Sequence, residues 1–111
     1  HIPSDGEFTE LTDFLGGVGV AGGKMKEAGY EHWNSPNTGG TNSSGFTFLP
    51  GGYRYSFFFT GFENEGETGY LWSASESGSN YWIRELNYDG GDVLRYTDSR
   101  LYGFSARCVR D

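Results

Sequence analysis

The chain has 111 residues, 19 of them glycine, with 18% aromatic residues and a formal net charge of -7 at pH 7. This length is enough for one modest hydrophobic core, so residues 1–111 are expected to form a single domain. The acidic balance argues against a nucleic-acid partner, because no basic cluster could neutralise phosphates. No apolar run is long enough for membrane insertion.

The first predicted element is a helix within residues 1–15. Ser4 and Glu7 have the spacing of a capping box, in which each side chain accepts a hydrogen bond from the other residue's backbone amide. The glycine pair at 16–17 predicts the end of the helix. Apolar residues that recur every three or four positions predict a core-facing stripe of Phe8, Leu11, Phe14 and Leu15.

A long, irregular stretch is predicted after this helix. Residues 18–29 favour at most one or two more helical turns, because four glycines interrupt them. Residues 31–45 predict a polar loop, and Trp33 would bury enough area to fix that loop to the domain. Asn34 and Asn37 are expected to form side-chain turns to the backbone.

Residues 46–49 predict a short buried strand, and residues 53–60 predict a strongly aromatic strand that must be covered. Residues 61–69 then form an acidic loop. Its oxygen atoms would suit calcium better than a transition metal, but an EF-hand pattern is absent. A loop that only keeps the protein soluble is the preferred interpretation, so no cofactor is predicted. The side chains concerned are Glu63, Asn64, Glu65 and Glu67.

The C-terminal third predicts an antiparallel meander. Four short runs are rich in aromatic and β-branched residues and are separated by Gly, Ser, Asn and Asp. With the N-terminal helix packed on this small, loop-rich sheet, the expected fold class is α+β. The four predicted strands cover residues 69–76, 81–88, 92–96 and 103–111.

Alternation along two of these strands predicts a ligand-binding face. Trp82, Leu86 and the stem of Arg84 share one face, and Val93 points inward. The opposite face combines rings with polar groups, which suits recognition of carbohydrate or protein. The alternative is an ordinary outer face, or one covered by residues 31–45. The predicted ligand-binding residues are Asn80, Tyr81, Ile83, Glu85, Asp92, Leu94, Tyr96, Asp98 and Tyr102.

No catalytic arrangement is recognisable in the sequence. It contains no zinc-ligand spacing, phosphate-binding loop or nucleophile elbow. The single cysteine, Cys108, has no histidine next to it in sequence that could activate its thiol as a nucleophile. We therefore predict that the protein is not an enzyme.

Several motifs carry a resemblance that covers nearly the whole chain. They are Trp-Asn-Ser-Pro-Asn-Thr-Gly at 33–39, Ser-Gly-Phe at 44–46, Leu-Pro-Gly-Gly-Tyr-Arg at 49–54, Trp-Ser-Ala-Ser-Glu at 72–76 and Gly-Phe-Ser-Ala-Arg-Cys-Val-Arg at 103–110. In this order they resemble the Fibrobacter succinogenes major paralogous domain, found in surface lipoproteins and secreted proteins of Fibrobacter and Bacteroidetes-type bacteria. The resemblance implies an extracellular or cell-surface location.

A more distant similarity concerns the fold. Residues 1–8 are similar to the helix start of formylglycine-generating-enzyme-like proteins, and the closing run at 103–110 resembles their last strand. Together these similarities imply a C-type-lectin-like variant of the α+β class. Those enzymes need a reactive cysteine pair, and this chain has only Cys108, so the similarity does not extend to catalysis.

The family resemblance also bears on Cys108. Family members usually carry an upstream cysteine in a Cys-Pro-x-Gly-Trp-His run, and this chain begins at the histidine of that run. A processed or N-terminally truncated copy is therefore expected, in which Cys108 would have lost a disulfide partner. A buried inert thiol and an intermolecular bridge are the other two interpretations.

Some variable proteins of diversity-generating retroelements share the C-type-lectin-like fold, and their last strands and loops form the diversified binding site. The same bias towards Asn, Tyr, Ser and Asp occurs here at Ser79, Asn80, Tyr81, Asp98 and Tyr102. The predicted function is a non-catalytic recognition or adhesion module for a glycan or a surface protein. The alternative is a structural subunit that self-associates into a surface layer or filament. Whether Asn42, in Asn-Ser-Ser, carries a glycan stays open.

Overall fold

The computed structural model describes residues 1–55 and 61–111 and contains two helices and two small antiparallel sheets, which confirms the α+β class. One sheet has the strand order β3-β4-β5, and the other has the order β2-β1-β6. No helix in these two described ranges is long and apolar enough to cross a membrane. The elements are α1 (Asp5–Phe14), α2 (Val18–Met25), β1 (Tyr53–Tyr55), β2 (Phe62–Glu63), β3 (Thr68–Ser77), β4 (Asn80–Asn87), β5 (Leu94–Ser99) and β6 (Tyr102–Gly103).

The predicted capping box is present at the start of α1. The Ser4 hydroxyl accepts from the amide of Glu7 at 3.1 Å, and the Glu7 carboxylate accepts from the amide of Ser4 at 2.9 Å. The apolar stripe needs one correction, because Phe14 is 85% exposed whereas Thr12 is buried. Six residues after Phe8, Phe14 is rotated by about 120° around the helix axis, away from the core-facing side.

The predicted meander is correct for three of its four strands. β3, β4 and β5 pair antiparallel in sequence order, with an irregularity between Trp72 and Glu76. The predicted strand over 103–111 is wrong, since only Tyr102–Gly103 is a strand and it pairs with β1. The following residues use their backbone groups elsewhere. The Trp72 amide donates to Ser105 O at 3.1 Å, and the Val109 amide donates to His1 O at 2.8 Å.

The loop after α2 is fixed to the domain by Trp33, as predicted. This side chain is fully buried, and its indole Nε1 donates to the carbonyl of Phe48 at 2.8 Å. The side-chain Nδ2 of Asn37 donates to the backbone carbonyls of Glu27 and Gly29 at 2.9 and 2.8 Å. Residues 46–49 are not a strand, because Phe48 makes only an isolated bridge. Of the predicted strand at 53–60, β1 is described, and residues 56–60 lie outside the described part of the chain.

Lys26 joins two segments from inside the domain, the loop around Thr38 and the end of β4 with the turn that follows it. Its side chain is fully buried, and Nζ donates to the carbonyls of Thr38, Asn87 and Gly90, each at 2.9 Å. Nζ also lies 5.2 Å from the centre of the Trp33 ring. Burial lowers the pKa of Lys26, although nearby Asp89 and Asp92 act in the opposite direction. The ammonium group thus replaces water as the partner of three inward-facing carbonyls.

Asp5 joins α1 to the main sheet through two arginines. Its carboxylate contacts buried Arg84 at 2.8 Å and exposed Arg95 at 2.7 Å. Arg84 Nη2 also donates to the Asp5 carbonyl at 3.0 Å and to the Thr9 hydroxyl at 3.2 Å. Sequence alternation placed Arg84 on the inward face correctly but predicted only its stem there. The guanidinium is buried as well, which requires these partners.

Helix α2 packs directly against two loops, so two of its positions are restricted to glycine. A Cβ added at Gly22 would lie 2.2 Å from the carbonyl oxygen of Asp92, and one at Gly23 would lie 2.2 Å from that of Gly39. Both contacts involve backbone, which cannot turn away. A Cβ at Gly19, in the same helix, would meet nothing within 4 Å.

Gly22→Ala is therefore expected to lower the free energy of unfolding by about 1–3 kcal/mol, the usual cost of overpacking. Gly19→Ala is expected to raise it by about 0.5–1 kcal/mol, because alanine is the better helix former. Urea titration of the two variants and the parent measures both values. Equal effects of the two substitutions would contradict the close approach of α2 to the Asp92 backbone.

Candidate functional site

Strand pairing brings six of the nine predicted ligand-binding residues onto one face of the main sheet. Their cross-strand pairs alternate with pairs that point towards α1. Trp82, Arg84 and Leu86 occupy the opposite face, and Val93 is buried, as predicted. The face opposite α1, here called the outer face, carries the pairs Tyr81 with Asp98, Ile83 with Tyr96 and Glu85 with Leu94.

The other predicted positions differ in placement. Ile83 is fully buried, so its predicted role as an exposed ligand contact is wrong. Its cross-strand neighbours are Trp72 and Tyr96, whose larger side chains flank it on the outer face. Asn80 precedes Tyr81 in β4, so its side chain lies on the opposite face of the sheet. It pairs with Ser77 and Ser99 at the ends of the neighbouring strands. Asp92 is exposed and precedes β5.

Glu85 and Tyr96 are engaged with each other at the centre of the outer face. The Tyr96 hydroxyl donates a short hydrogen bond to the Glu85 carboxylate, which also accepts from the Asn87 amide at 2.9 Å. Burial, followed by this hydrogen bond, raises the pKa of Tyr96. Burial also raises the pKa of neighbouring Tyr70 to about 12. The Tyr96 hydroxyl is therefore engaged by an internal partner and is not free to bind a ligand.

Aromatic rings from the second sheet and the C-terminal segment pack over part of the outer face. Phe104 stacks on Tyr70 at 4.7 Å between ring centres and lies 4.6 Å from Trp72. Tyr102 stacks on Phe104 at 5.5 Å and contacts the ring of Tyr53 at 5.6 Å. Tyr102, a predicted ligand contact, is thus half-buried among rings, and these contacts join the two sheets.

An open pocket of about 380 Å³ lies beside these rings, where β3 is irregular. The rings of Trp72 and Tyr81 form its wall, with centres 6.0 Å apart and planes at 78°. The Tyr81 hydroxyl donates to the Glu76 carboxylate at 3.0 Å, and this bond raises the pKa of Tyr81. The pocket is lined by Ile2, Trp72, Ser73, Ala74, Tyr81 and Arg100.

This pocket combines an apolar ring wall with groups that form hydrogen bonds. Tyr81 was predicted from alternation, but Trp72 and Arg100 were not. The signal for Trp72 was present, because it has the alternation of Tyr70 and lies opposite Ile83 once β3 and β4 are paired. Arg100 follows β5 in a turn, where alternation gives no information about direction.

Three other sequence hypotheses receive a structural context. The carboxylates of Glu63, Glu65 and Glu67 do not form a three-ligand cluster within the described part of the chain. Cys108 is exposed with a free thiol, so its interpretation as a buried inert group is wrong. The side chain of Asn42 is engaged with Thr47, from whose amide its Oδ1 accepts at 2.8 Å.

Comparison with known proteins gives a match at the level of the domain family. The family model described as Fibrobacter succinogenes major domain matches residues 1–110. This range includes both sheets, both helices and the pocket. No curated protein and no solved structure matches the chain.

Proposed function

Because the chain belongs to the Fibrobacter succinogenes major domain family, we propose that it is a non-catalytic recognition module that binds glycans outside the cell or at its surface. The observation that carries this proposal is the open pocket with the rings of Trp72 and Tyr81 as its wall. The occurrence of related domains in secreted proteins and surface lipoproteins supports the proposed location.

The chemistry of the pocket favours a carbohydrate. The rigid rings of Trp72 and Tyr81 offer contact area to the apolar C–H face of a sugar at low entropic cost. Arg100 lines the same pocket, and Glu76 is held at its edge by Tyr81, so both can bind hydroxyl groups. The net charge of -7 disfavours a strongly anionic glycan, because the overall field repels it.

We also propose that the α+β fold is of the C-type-lectin-like type. An N-terminal helix that packs on an antiparallel sheet supports this assignment. So does the contact between His1 and Val109, whose backbone groups exchange hydrogen bonds of 2.8 and 2.9 Å. The long loop that Trp33 fixes to the domain is a third point of support.

Tyr81→Ala is expected to weaken glycan binding about tenfold or more, since a central aromatic contact typically contributes more than about 1.4 kcal/mol. Trp72→Ala is expected to do the same. A screen of plant cell-wall and bacterial-surface glycans identifies the ligand, and calorimetry with the best one gives the affinities. A parallel series with a chelator tests whether a metal takes part.

The matched control is Tyr30→Ala, which removes a tyrosine that is 67% exposed and does not line the pocket. Thermal melting of each variant separates lost binding from lost folding. Unchanged affinity in folded Tyr81→Ala, or an equal loss in Tyr30→Ala, would contradict the proposed site.

The second candidate function is a structural subunit that self-associates into a surface layer or filament. β5 lies at the edge of its sheet, and within residues 1–55 and 61–111 its outer side pairs with no further strand. Such an edge can accept a strand from another copy. Absence of binding to every glycan, together with an apparent molecular mass from light scattering that rises with protein concentration, would favour this function instead.

A further inference from the structure

Away from the aromatic pocket, three side chains of the loop after α2 converge. Glu27, Glu31 and His32 each offer one ligand atom, and these three atoms lie within 4.8 Å of one another. The two carboxylate oxygens of Glu27 lie 3.0 and 2.9 Å from Nδ1 of His32. These contacts need a proton between the imidazole and the carboxylate, and a metal ion could take its place.

The backbone that carries this trio is fixed on both sides. The Glu27 amide donates to the Phe48 carbonyl at 3.1 Å, and the Glu27 carbonyl accepts from the Asn37 side chain at 2.9 Å. Trp33, next to His32, is fully buried and bonded to that same Phe48 carbonyl. The backbone at Glu27 and next to His32 is therefore held in place without a bound ion. This lowers the entropic cost of forming a metal site.

One member of the trio, Glu27, differs from a solvated surface charge. The Glu27 side chain is only 17% exposed, and its carboxylate points at His32, which is itself half-exposed. The Glu27 carboxylate therefore has little contact with water, and the His32 imidazole is its nearest polar neighbour. Glu31 is exposed and free to turn, which matters because a tetrahedral ion holds its ligand atoms roughly 3.4 Å apart.

A cavity of about 560 Å³ lies beside two of the three ligands. Glu31 and His32 line it together with Asn34 and Glu65, and Leu49, Pro50 and Phe62 add an apolar side. Three protein ligands leave one position of a tetrahedral ion without a protein donor. That position would be available to water or to an oxygen atom of a ligand in the cavity.

From this geometry we propose that Glu27, Glu31 and His32 form a binding site for a divalent transition-metal ion, with Zn²⁺ as the best match. One imidazole and two carboxylates are borderline to hard donors, which suit Zn²⁺. Calcium is a poor match because it takes six to eight oxygen ligands. This site is separate from the glycan pocket. Its three ligands lie outside the acidic stretch at residues 61–69, which contributes only Phe62, Glu65 and Gly66 to the wall of the neighbouring cavity.

Calorimetric titration of the whole chain with ZnCl₂ at neutral pH tests the site. One equivalent of Zn²⁺ is expected to bind, and the melting temperature should rise with zinc concentration because the ion binds only the folded chain. Glu31→Gln and His32→Gln are each expected to weaken the affinity about tenfold or more, since each removes a ligand. Calcium chloride at the same concentration should not compete.

His1→Gln is the matched control, because the chain has two histidines and His1 contacts the carboxylates of Glu7 and Asp111 instead. It should bind zinc as the parent does. Glu31→Gln keeps the test decisive if His32→Gln is poorly folded, since Glu31 is exposed. Absence of zinc binding to the parent, full affinity in Glu31→Gln, or loss in His1→Gln would each overturn the proposal. All of these readouts are independent of glycan binding.

Discussion

Lys26→Met is expected to lower the free energy of unfolding by about 3 kcal/mol or more. The substitution keeps an unbranched side chain of similar length but removes the donor of three hydrogen bonds to buried carbonyls. Each carbonyl left without a partner costs about 1–3 kcal/mol. The desolvation that lowers the pKa of Lys26 is relieved in the variant, so the net cost is less than the sum. Urea unfolding at neutral pH measures it.

Lys24→Met provides the comparison. Lys24 is half-buried and donates one hydrogen bond, to Leu15 O at 2.8 Å, so its replacement is expected to cost about 1 kcal/mol. Amide exchange adds a local measurement, since Thr38 N donates to Tyr88 O in the region that Lys26 holds. Similar stability losses in the two methionine variants would show that the buried ammonium has no special role.

Asp5→Ala is the second substitution with a large expected effect, about 3–5 kcal/mol. It leaves the buried guanidinium of Arg84 without its carboxylate, and an unpaired buried charge is among the most destabilising features in a protein. It also removes an acidic side chain from the first turn of α1. Thermal and urea unfolding measure the loss.

Arg95→Ala is the control for this pair, because it removes the other partner of Asp5 from an exposed position. Its expected cost is about 1 kcal/mol, from an exposed ion pair and from stacking on Trp82 at 3.8 Å. A cost as large as that of Asp5→Ala would contradict the assignment of the buried contact as the dominant one.

The Asp5 carboxylate also makes the free energy of unfolding depend on pH in acid. The hydrogen bond from Arg95 and the contacts with Arg84 lower the pKa of Asp5 in the folded chain. This stabilisation is present above the unfolded-state pKa of about 3.9 and is lost as pH falls through the lower folded-state value. Unfolding of the parent in a series of buffers from about pH 4 downwards should show this loss, and Asp5→Ala should show less of it.

Local signals predicted the elements that depend on neighbours in sequence. The Ser4 and Glu7 spacing gave the start of α1, and alternation gave the buried sides of β4 and β5. Trp33 was correctly predicted to fix its loop, since so large a ring among polar residues is rarely left in solvent. The α2 helix was predicted only weakly, because its glycines look unfavourable until Gly22 and Gly23 are seen against the backbone of other segments.

Long-range partners were beyond these signals. Nothing near Lys26 in sequence indicates that carbonyls from residues 38, 87 and 90 surround it, and the Asp5 to Arg84 contact spans most of the chain. The closing run at 103–111 has strand-like composition, yet its hydrogen bonds go to Trp72 and His1. The binding face was predicted as a surface. The burial of Ile83 on this face and the pocket beside Trp72 could not be predicted, because they depend on the second sheet and on the segment around Phe104.

The way Lys26 holds its loops also bears on how such a domain can diversify. All three of its acceptors are main-chain carbonyls, which every amino acid supplies. The side chain at Thr38 is exposed and takes no part in that hydrogen bond. Mutations on these loops can therefore change what the protein displays to its surroundings while the internal attachment is inherited unchanged. A single buried lysine thus fixes these segments without specifying the side chain at Thr38.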